Sequence, residues 1–321
     1  MIAATALVAS GAAAQEGPRL DVAFLLDATG SMGDEIGAVK EKIREMISAI
    51  ALGDPTPDVR FGIVAYRDRD DEYVTRTYEL TRDIDRIVEN LDEIEADGGG
   101  DYPESFNEGL HVAVQELNWE LDGSVSRLIF LIADAPPHLD YPDDYDYQRE
   151  MSVARDRGIA IHAIGASGLD EEGEAIFREV AEGTQGRFQW LAYEQRYVDQ
   201  DGEEVVVVVE GRTTTYHKGD ETWVWEEGGE IPEGLPSPYF GEAVRAADGE
   251  EAVFVDAPLS VGTDKGGLDA GGPPVSTSTN LDDLITDAIK DAASEEGVDY
   301  DDGTAIESTS WGGLKARVGT R

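Results

Sequence analysis

Apolar residues follow two rhythms along this chain. Five short runs are almost unbroken: Leu20–Leu26, Val59–Tyr66 (VRFGIVAY), Arg127–Ala133 (RLIFLIA), Gly158–Gly165 (GIAIHAIG) and Arg187–Ala192 (RFQWLA). A strand so uniformly apolar is covered on both faces, as in a parallel sheet held between helices. Between these runs the apolar positions recur at helical spacing over Gly33–Leu52, Ile84–Ile94, Glu104–Leu117, Tyr147–Arg157 and Asp170–Glu182. Strand and helix thus alternate, which predicts an α/β fold with a doubly wound, mostly parallel sheet. In such sheets ligands lie beyond the carboxyl ends of the strands, near the point where strand order reverses.

Residues 196–278 break the rhythm. The stretch EEVVVVVEGRTTTYHKGDETWVWEE alternates apolar and polar residues around glycine-containing turns, which predicts antiparallel hairpins. Trp223 and Trp225 share one face of a strand there, as cross-strand packing requires. The following GTDKGGLDAGGPPVSTST reads as a linker. A helix then begins, with Asn280 as N-cap, acids in its first turn, and Leu281, Leu284, Ile285 and Ile289 on one face. That apolar stripe needs a partner, so residues 279–294 are expected to pack back on the α/β domain. On this reading 196–278 is a β-rich insertion; a separately appended domain is the alternative. Residues 295–321 carry no periodic signal and are expected to be poorly ordered.

Composition narrows the possibilities. The 321 residues contain no cysteine, which excludes disulfides and thiolate chemistry. The formal net charge of −44 excludes a nucleic-acid partner and reads as a solvating acidic coat, since the acids are spread evenly. Residues 1–14 are short, apolar and rich in small residues, ending in Ala12-Ala13-Ala14. They have the apolar core and cleavage pattern of a secretory signal peptide but lack its basic start. A periplasmic or secreted protein without a membrane span is expected.

The candidate chemistry lies where the first strand runs into DATGS. Thr29 and Ser31 offer neutral hydroxyls from one short loop, and Asp27 a carboxylate, to a hard cation that takes about six oxygen ligands. Asp134 ends a second apolar run, RLIFLIAD. With these residues the chain resembles the von Willebrand factor type A family, whose metal-ion-dependent adhesion site uses D-x-S/T-x-S after the first strand and an aspartate after the fourth. The resemblance covers residues 19–195 and implies a Mg2+ site, with Mn2+ or Ca2+ as substitutes, that receives an Asp or Glu from a protein partner. Its second loop normally supplies a threonine. Here residues 97–104 read DGGGDYPE, similar to a bacterial subgroup with GGGDxPE in that place. Asp101 is then the expected ligand, with Glu104 as the alternative, and an extra carboxylate damps the cation's electrophilicity. The implied metal set is Asp27, Thr29, Ser31, Asp101 and Asp134.

Other polar residues suggest less. His162 lies within a strand pattern and His111 within a helix, both as packing residues, whereas His138 in DAPPH lies on a loop that can approach the cation. The acidic loops 68–72 (DRDDE) and 140–146 (DYPDDYD) lack the D-x-[DN]-x-[DN]-G calcium pattern and read as solvated surface. No G-x-S-x-G elbow accompanies Ser31, so a noncatalytic binding module is expected.

Overall fold

A computed structural model describes residues 17–198, 203–226, 230, 232–233 and 276–301. The expected leader at 1–14, part of the β-rich region and the tail at 302–321 lie outside the described residues. Among the described residues no helix is long and apolar enough to cross a membrane.

The chain builds a mostly parallel six-stranded sheet in the order β3-β2-β1-β4-β5-β6. Its strands are β1 (Arg19–Asp27), β2 (Asp58–Tyr66), β3 (Thr75–Thr81), β4 (Ser126–Ala133), β5 (Ile159–Gly165) and β6 (Phe188–Trp190). All neighbours pair in parallel except β2 and β3. Strand β3 is the element the apolar rhythm does not announce. It is an edge strand with Leu80 as its buried position, so TRTYELT carries little hydrophobic signal.

Each central strand serves two cores by side-chain alternation. Val22, Phe24 and Leu26 of β1 face one layer, which holds α1 (Ile36–Ala51), α2 (Ile84–Asp92) and α6 (Leu281–Glu295). Ala23 and Leu25 face the other, with α3 (Phe106–His111), α4 (Tyr147–Asp156) and α5 (Glu171–Gly183). The predicted helix 104–117 is α3 continued by a wider π turn over Val112–Glu116.

The β-rich region forms a second, antiparallel sheet in the order β10-β9-β8-β7-β11. Its strands are β7 (Ala192–Val198), β8 (Glu204–Glu210), β9 (Thr213–Lys218), β10 (Glu221–Glu226) and β11 (Ser276–Thr279). Val205, Val207 and Val209 alternate into the core layer shared with α1 and α6. Trp223 stands opposite Tyr216 and Trp225 opposite Thr214, as cross-strand neighbours. Two expectations change here. The end of the expected linker is strand β11, paired with β7, so the chain returns to the point where it left the parallel sheet. Asn280 does not cap α6 with its side chain. Its amide instead accepts from Ala192 N at 2.8 Å and donates to Trp190 O at 3.0 Å, completing strand-like pairing at the corner between β6 and β7.

Helix α6 packs along α1 with Leu281, Ile285 and Ile289 fully buried. Beyond it the chain is placed as far as Asp301: Tyr300 donates to Ile50 O at 2.8 Å, and Asp301 and Asp54 exchange backbone hydrogen bonds at 2.7 and 3.0 Å. The absence of periodicity after 294 thus marks an irregular return segment at 296–301, held by backbone pairing and the buried Tyr300 rather than by a periodic apolar stripe.

Candidate metal centre

Parallel pairing sets the carboxyl ends of β1, β2 and β4 side by side. Asp27 stands opposite Tyr66 at the end of β2, and Leu26 opposite Ile132, so β4 brings out Asp134 beside the DATGS loop. Strand β1 is the switch point, with β2 on one side and β4 on the other.

Asp27 is fully buried. Its Oδ1 accepts from Thr29 N at 3.0 Å and from Thr29 Oγ1 at 2.6 Å, which turns the chain back on itself, and Thr29 Oγ1 lies 3.1 Å from Ser31 Oγ. Thr29 is buried, whereas Ser31 reaches solvent. The loop then enters a 3-10 turn, Gly30–Asp34, ahead of α1. Asp27 Oδ2 has no hydrogen-bond partner. Burial pushes its carboxyl up to about 6, against the hydrogen bonds from Thr29.

The second loop closes over this turn. Gly98 and Gly99 adopt φ of 78° and 73°, left-handed values that favour glycine. Gly98 O accepts from Gly30 N at 3.1 Å. At Gly99 a Cβ would come within 2.7 Å of Glu104 Oε1 and 3.2 Å of Thr29 Cβ, so the glycine lets the loop lie directly on both. Glu104 is 3% exposed, and its Oε2 has no hydrogen-bond partner. Burial, reinforced by the charges of Asp27, Asp68 and Asp134, pushes its carboxyl up to about 9. Glu35, at the end of the 3-10 turn, is raised to about 7 by burial, although Ser167 donates to it from N and Oγ.

The residues expected from the sequence therefore separate. Asp27, Thr29 and Ser31 form one hydrogen-bonded turn, and Asp134 is buried at the end of β4. Asp101 is exposed, with its Oδ1 3.8 Å from His138 Nε2. Glu104 makes a parallel bridge to Pro137, with Glu104 N donating to Pro136 O at 3.0 Å and His138 N donating to Glu104 O at 3.1 Å. That pairing turns the Glu104 side chain inward and leaves Asp101, three residues earlier, at the rim with 65% of its side chain exposed. The second loop thus offers two carboxylates, Glu104 buried beneath it and Asp101 at its rim.

Among the described residues, neither Asp27 nor Glu104 takes part in an ion pair. The nearby Arg67 is buried and donates to carbonyls instead, from Nε to Ala28 O at 3.1 Å and from Nη2 to Glu95 O at 2.9 Å. Buried carboxylates with unfilled lone pairs, beside two hydroxyls, fit a hard divalent cation.

Residues 21–168 match the family model of the von Willebrand factor A domain. This segment is a von Willebrand factor A domain. It is 32% identical over 120 residues to the alpha-protein kinase vwkA of Dictyostelium discoideum, covering 37% of this chain and 19% of that protein. It is 34% identical over 120 residues to the human von Willebrand factor A domain-containing protein 7, covering 37% of this chain and 12% of that one. The chain thus spans less than a fifth of the length of these relatives. Among solved structures, proximal thread matrix protein 1 from the mussel byssus aligns at TM-score 0.43 and 20% identity, over 54% of this chain and 42% of that one. A form of that protein with a zinc-occupied MIDAS motif aligns at TM-score 0.44 and 19% identity.

The A domain holds one buried acid that the sequence reading assigned to solvated surface. Asp68, in DRDDE, is 3% exposed, and its Oδ1 accepts from Ser105 Oγ at 2.9 Å. The signal was positional: the loop after β2 must emerge beside the loop after β1, because the two strands are parallel neighbours. Asp71 in the same loop accepts from Gly99 N at 2.9 Å and so supports the second loop.

Proposed function

We propose that this protein is an exported, noncatalytic binding module whose A domain holds Mg2+ and, through it, a carboxylate of a protein partner. The ligand set is Thr29 and Ser31 with Asp27, Glu104 and Asp134, and Mn2+ or Ca2+ substitute. The observation that carries the reading is the pair of buried carboxylate oxygens, Asp27 Oδ2 and Glu104 Oε2, that have no hydrogen-bond partner among the described residues. A cation held by these residues would supply the positive charge that they lack, and Ser31, which reaches solvent, marks the side from which an anionic group could approach. Two neutral hydroxyls leave part of that charge unneutralised, which favours an incoming anion. Glu104 in place of a hydroxyl works in the opposite direction. A carboxylate partner is therefore expected to bind more weakly here than at a site with a threonine, and its affinity to depend on the protonation of Glu104. The A-domain match over residues 21–168 supports a protein partner. The leader-like residues 1–14 support export.

The test is retention of partners from the organism's envelope and secreted fractions. The full chain is presented in millimolar Mg2+, in EDTA, and as Asp27→Ala with its fold checked by circular dichroism. A partner retained only by the intact protein with metal supports the reading. A partner retained equally in all three arms overturns it and moves binding to the second sheet, where Val224 is 55% exposed.

A further inference from the structure

A second cluster lies on the outer side of the Glu104 loop. His138 Nε2, Asp68 and Asp101 each offer one ligand atom, all within 4.8 Å of one another. The three residues come from three different loops, after β2, before α3 and after β4. None of them belongs to the DATGS turn.

The histidine gives this cluster its meaning. His138 is 3% exposed, yet its Nε2 has no hydrogen-bond partner. Nε2 stands 3.6 Å from Asp68 Oδ1 and 3.8 Å from Asp101 Oδ1, too far for hydrogen bonds. Those separations are close to the spacing of about 3.3 Å between ligands sharing one tetrahedral ion at bonds of about 2.0–2.1 Å. At the opposite side of the ring, Nδ1 lies 2.8 Å from Asp140 Oδ1. An ionised carboxylate only accepts, so Nδ1 donates to it, and in the neutral ring the Nε2 lone pair faces the cluster. The ring is fixed further by stacking on Tyr141, with centroids 3.9 Å apart and planes at 16°. Its backbone is held on both sides, with His138 N donating to Glu104 O and Asn107 Nδ2 donating to His138 O at 2.9 Å. Asp68 is oriented by Ser105 Oγ, and Tyr141 OH lies 3.3 Å from its Oδ2. A carboxylate behind an imidazole whose far nitrogen faces two more carboxylates is the arrangement of a metal-ligating histidine.

We propose that Asp68, Asp101 and His138 form a second divalent-cation site, separate from the DATGS turn. An imidazole with two carboxylates favours a borderline ion, and Zn2+ is the class we assign, with solvent at the remaining position beside exposed Asp101. The site also acts on its neighbour. Glu104 is tied to it on both flanks, by His138 N to Glu104 O and by Ser105 Oγ to Asp68. An ion held there fixes the loop that carries Glu104.

The test uses the full chain, stripped with EDTA and then saturated with millimolar Mg2+, with Zn2+ as the titrant and imidazole 15N resonances as the readout. Four histidines make the spectrum assignable. One equivalent of Zn2+ is expected to shift a single Nε2 resonance, which His138→Gln removes. Asp101→Asn, at an exposed position, is expected to weaken Zn2+ by at least about tenfold, and Asp140→Asn by about 10–100-fold. Asp27→Ala is expected to leave the shift in place. The proposal is overturned if no histidine resonance moves, if a histidine other than His138 moves, or if Asp27→Ala abolishes the shift. The last outcome assigns the ion to the first site and leaves the reading of that site intact.

Discussion

Asp21 and Asp27 lie on the same strand, β1, near its two ends, and both are buried. Asp21 is fully provided for. Arg60 grips it with both nitrogens, Nε at 2.7 Å, and Glu120 N donates to it at 2.8 Å. Around it Asp58 meets Arg82, and Glu120 and Asp122 meet Arg19. Hydrogen bonds from Arg82 hold the Asp58 carboxyl below its ordinary value, and those from Ser124 hold Asp122 down at about 2. Asp27 meets only neutral groups, Thr29 and the hydroxyl of Tyr66, and its carboxyl, like those of Glu35 and Glu104, is raised rather than lowered. The amino end of the sheet meets its buried acid with a guanidinium, whereas at the carboxyl end Arg67 and Arg69 pair with Glu72, Asp97, Glu108 and Asp144 and leave Asp27 and Glu104 without one. A chain that can balance a buried acid at one end of a strand, and leaves the other unbalanced, has a place there for a charge that is not its own.

The sharpest way to break this comparison is at the balanced end. Asp21→Ala leaves Arg60, whose side chain is 13% exposed, without its partner and is expected to cost about 3 kcal/mol in urea unfolding, whether or not Mg2+ is present. A metal-dependent loss at Asp21 would show that the two ends are not independent.

At the unbalanced end, Asp27→Asn is expected to raise the stability of the metal-free protein at pH 8 by on the order of 1–3 kcal/mol, while removing any gain from Mg2+. The pH profile follows from the same groups. Asp27, Glu35 and Glu104 have folded values of about 6, 7 and 9 against ordinary values of 3.8, 4.5 and 4.5. Between the ordinary and the folded values the folded state holds protons that the unfolded chain has released, so stability falls as pH rises from about 5 to 9. Bound Mg2+ is expected to flatten that fall, as read by denaturant titration at each pH. Asp58 and Asp122 have the opposite sign, and their contribution is lost only as pH falls below about 4.

Gly99→Ala sharpens the comparison locally. A Cβ at φ 73° and 2.7 Å from Glu104 Oε1 must displace that carboxylate. The expected result is a loss of about 1–2 kcal/mol and a Mg2+ affinity lowered about tenfold, measured by calorimetry. The smallest effect belongs to Arg82→Ala. Its pair with Asp58 is solvent-exposed on both sides, and the expected loss is below about 1 kcal/mol.

The parallel sheet was legible because its strands are buried on both faces, and burial leaves runs such as VAFLL and LIFLIA. What escaped was polar or irregular. Strand β3 has one buried position, β11 is STST, and residues 296–301 are held by backbone bonds and a single buried side chain, Tyr300. The site divides in the same way. DATGS is contiguous, and its hydrogen bonds are local enough to be read from spacing. The choice between Asp101 and Glu104 depends on the bridge to Pro137, a contact between distant parts of the chain that no spacing encodes. Asp68 escaped because an acid-rich loop is ordinarily solvated, and its burial comes from Ser105 and Tyr141, far along the chain.

The measurement that tests the central claim most directly is the unfolding free energy of the EDTA-stripped protein at pH 8 with and without Mg2+, for the intact chain and for Asp27→Asn. The account predicts that Mg2+ at about one hundred times its dissociation constant adds about 2.7 kcal/mol to the intact chain and nothing to the variant. Equal stabilisation of both, or of neither, would contradict it, because the buried acids at the carboxyl end of the sheet would then not be where the cation binds.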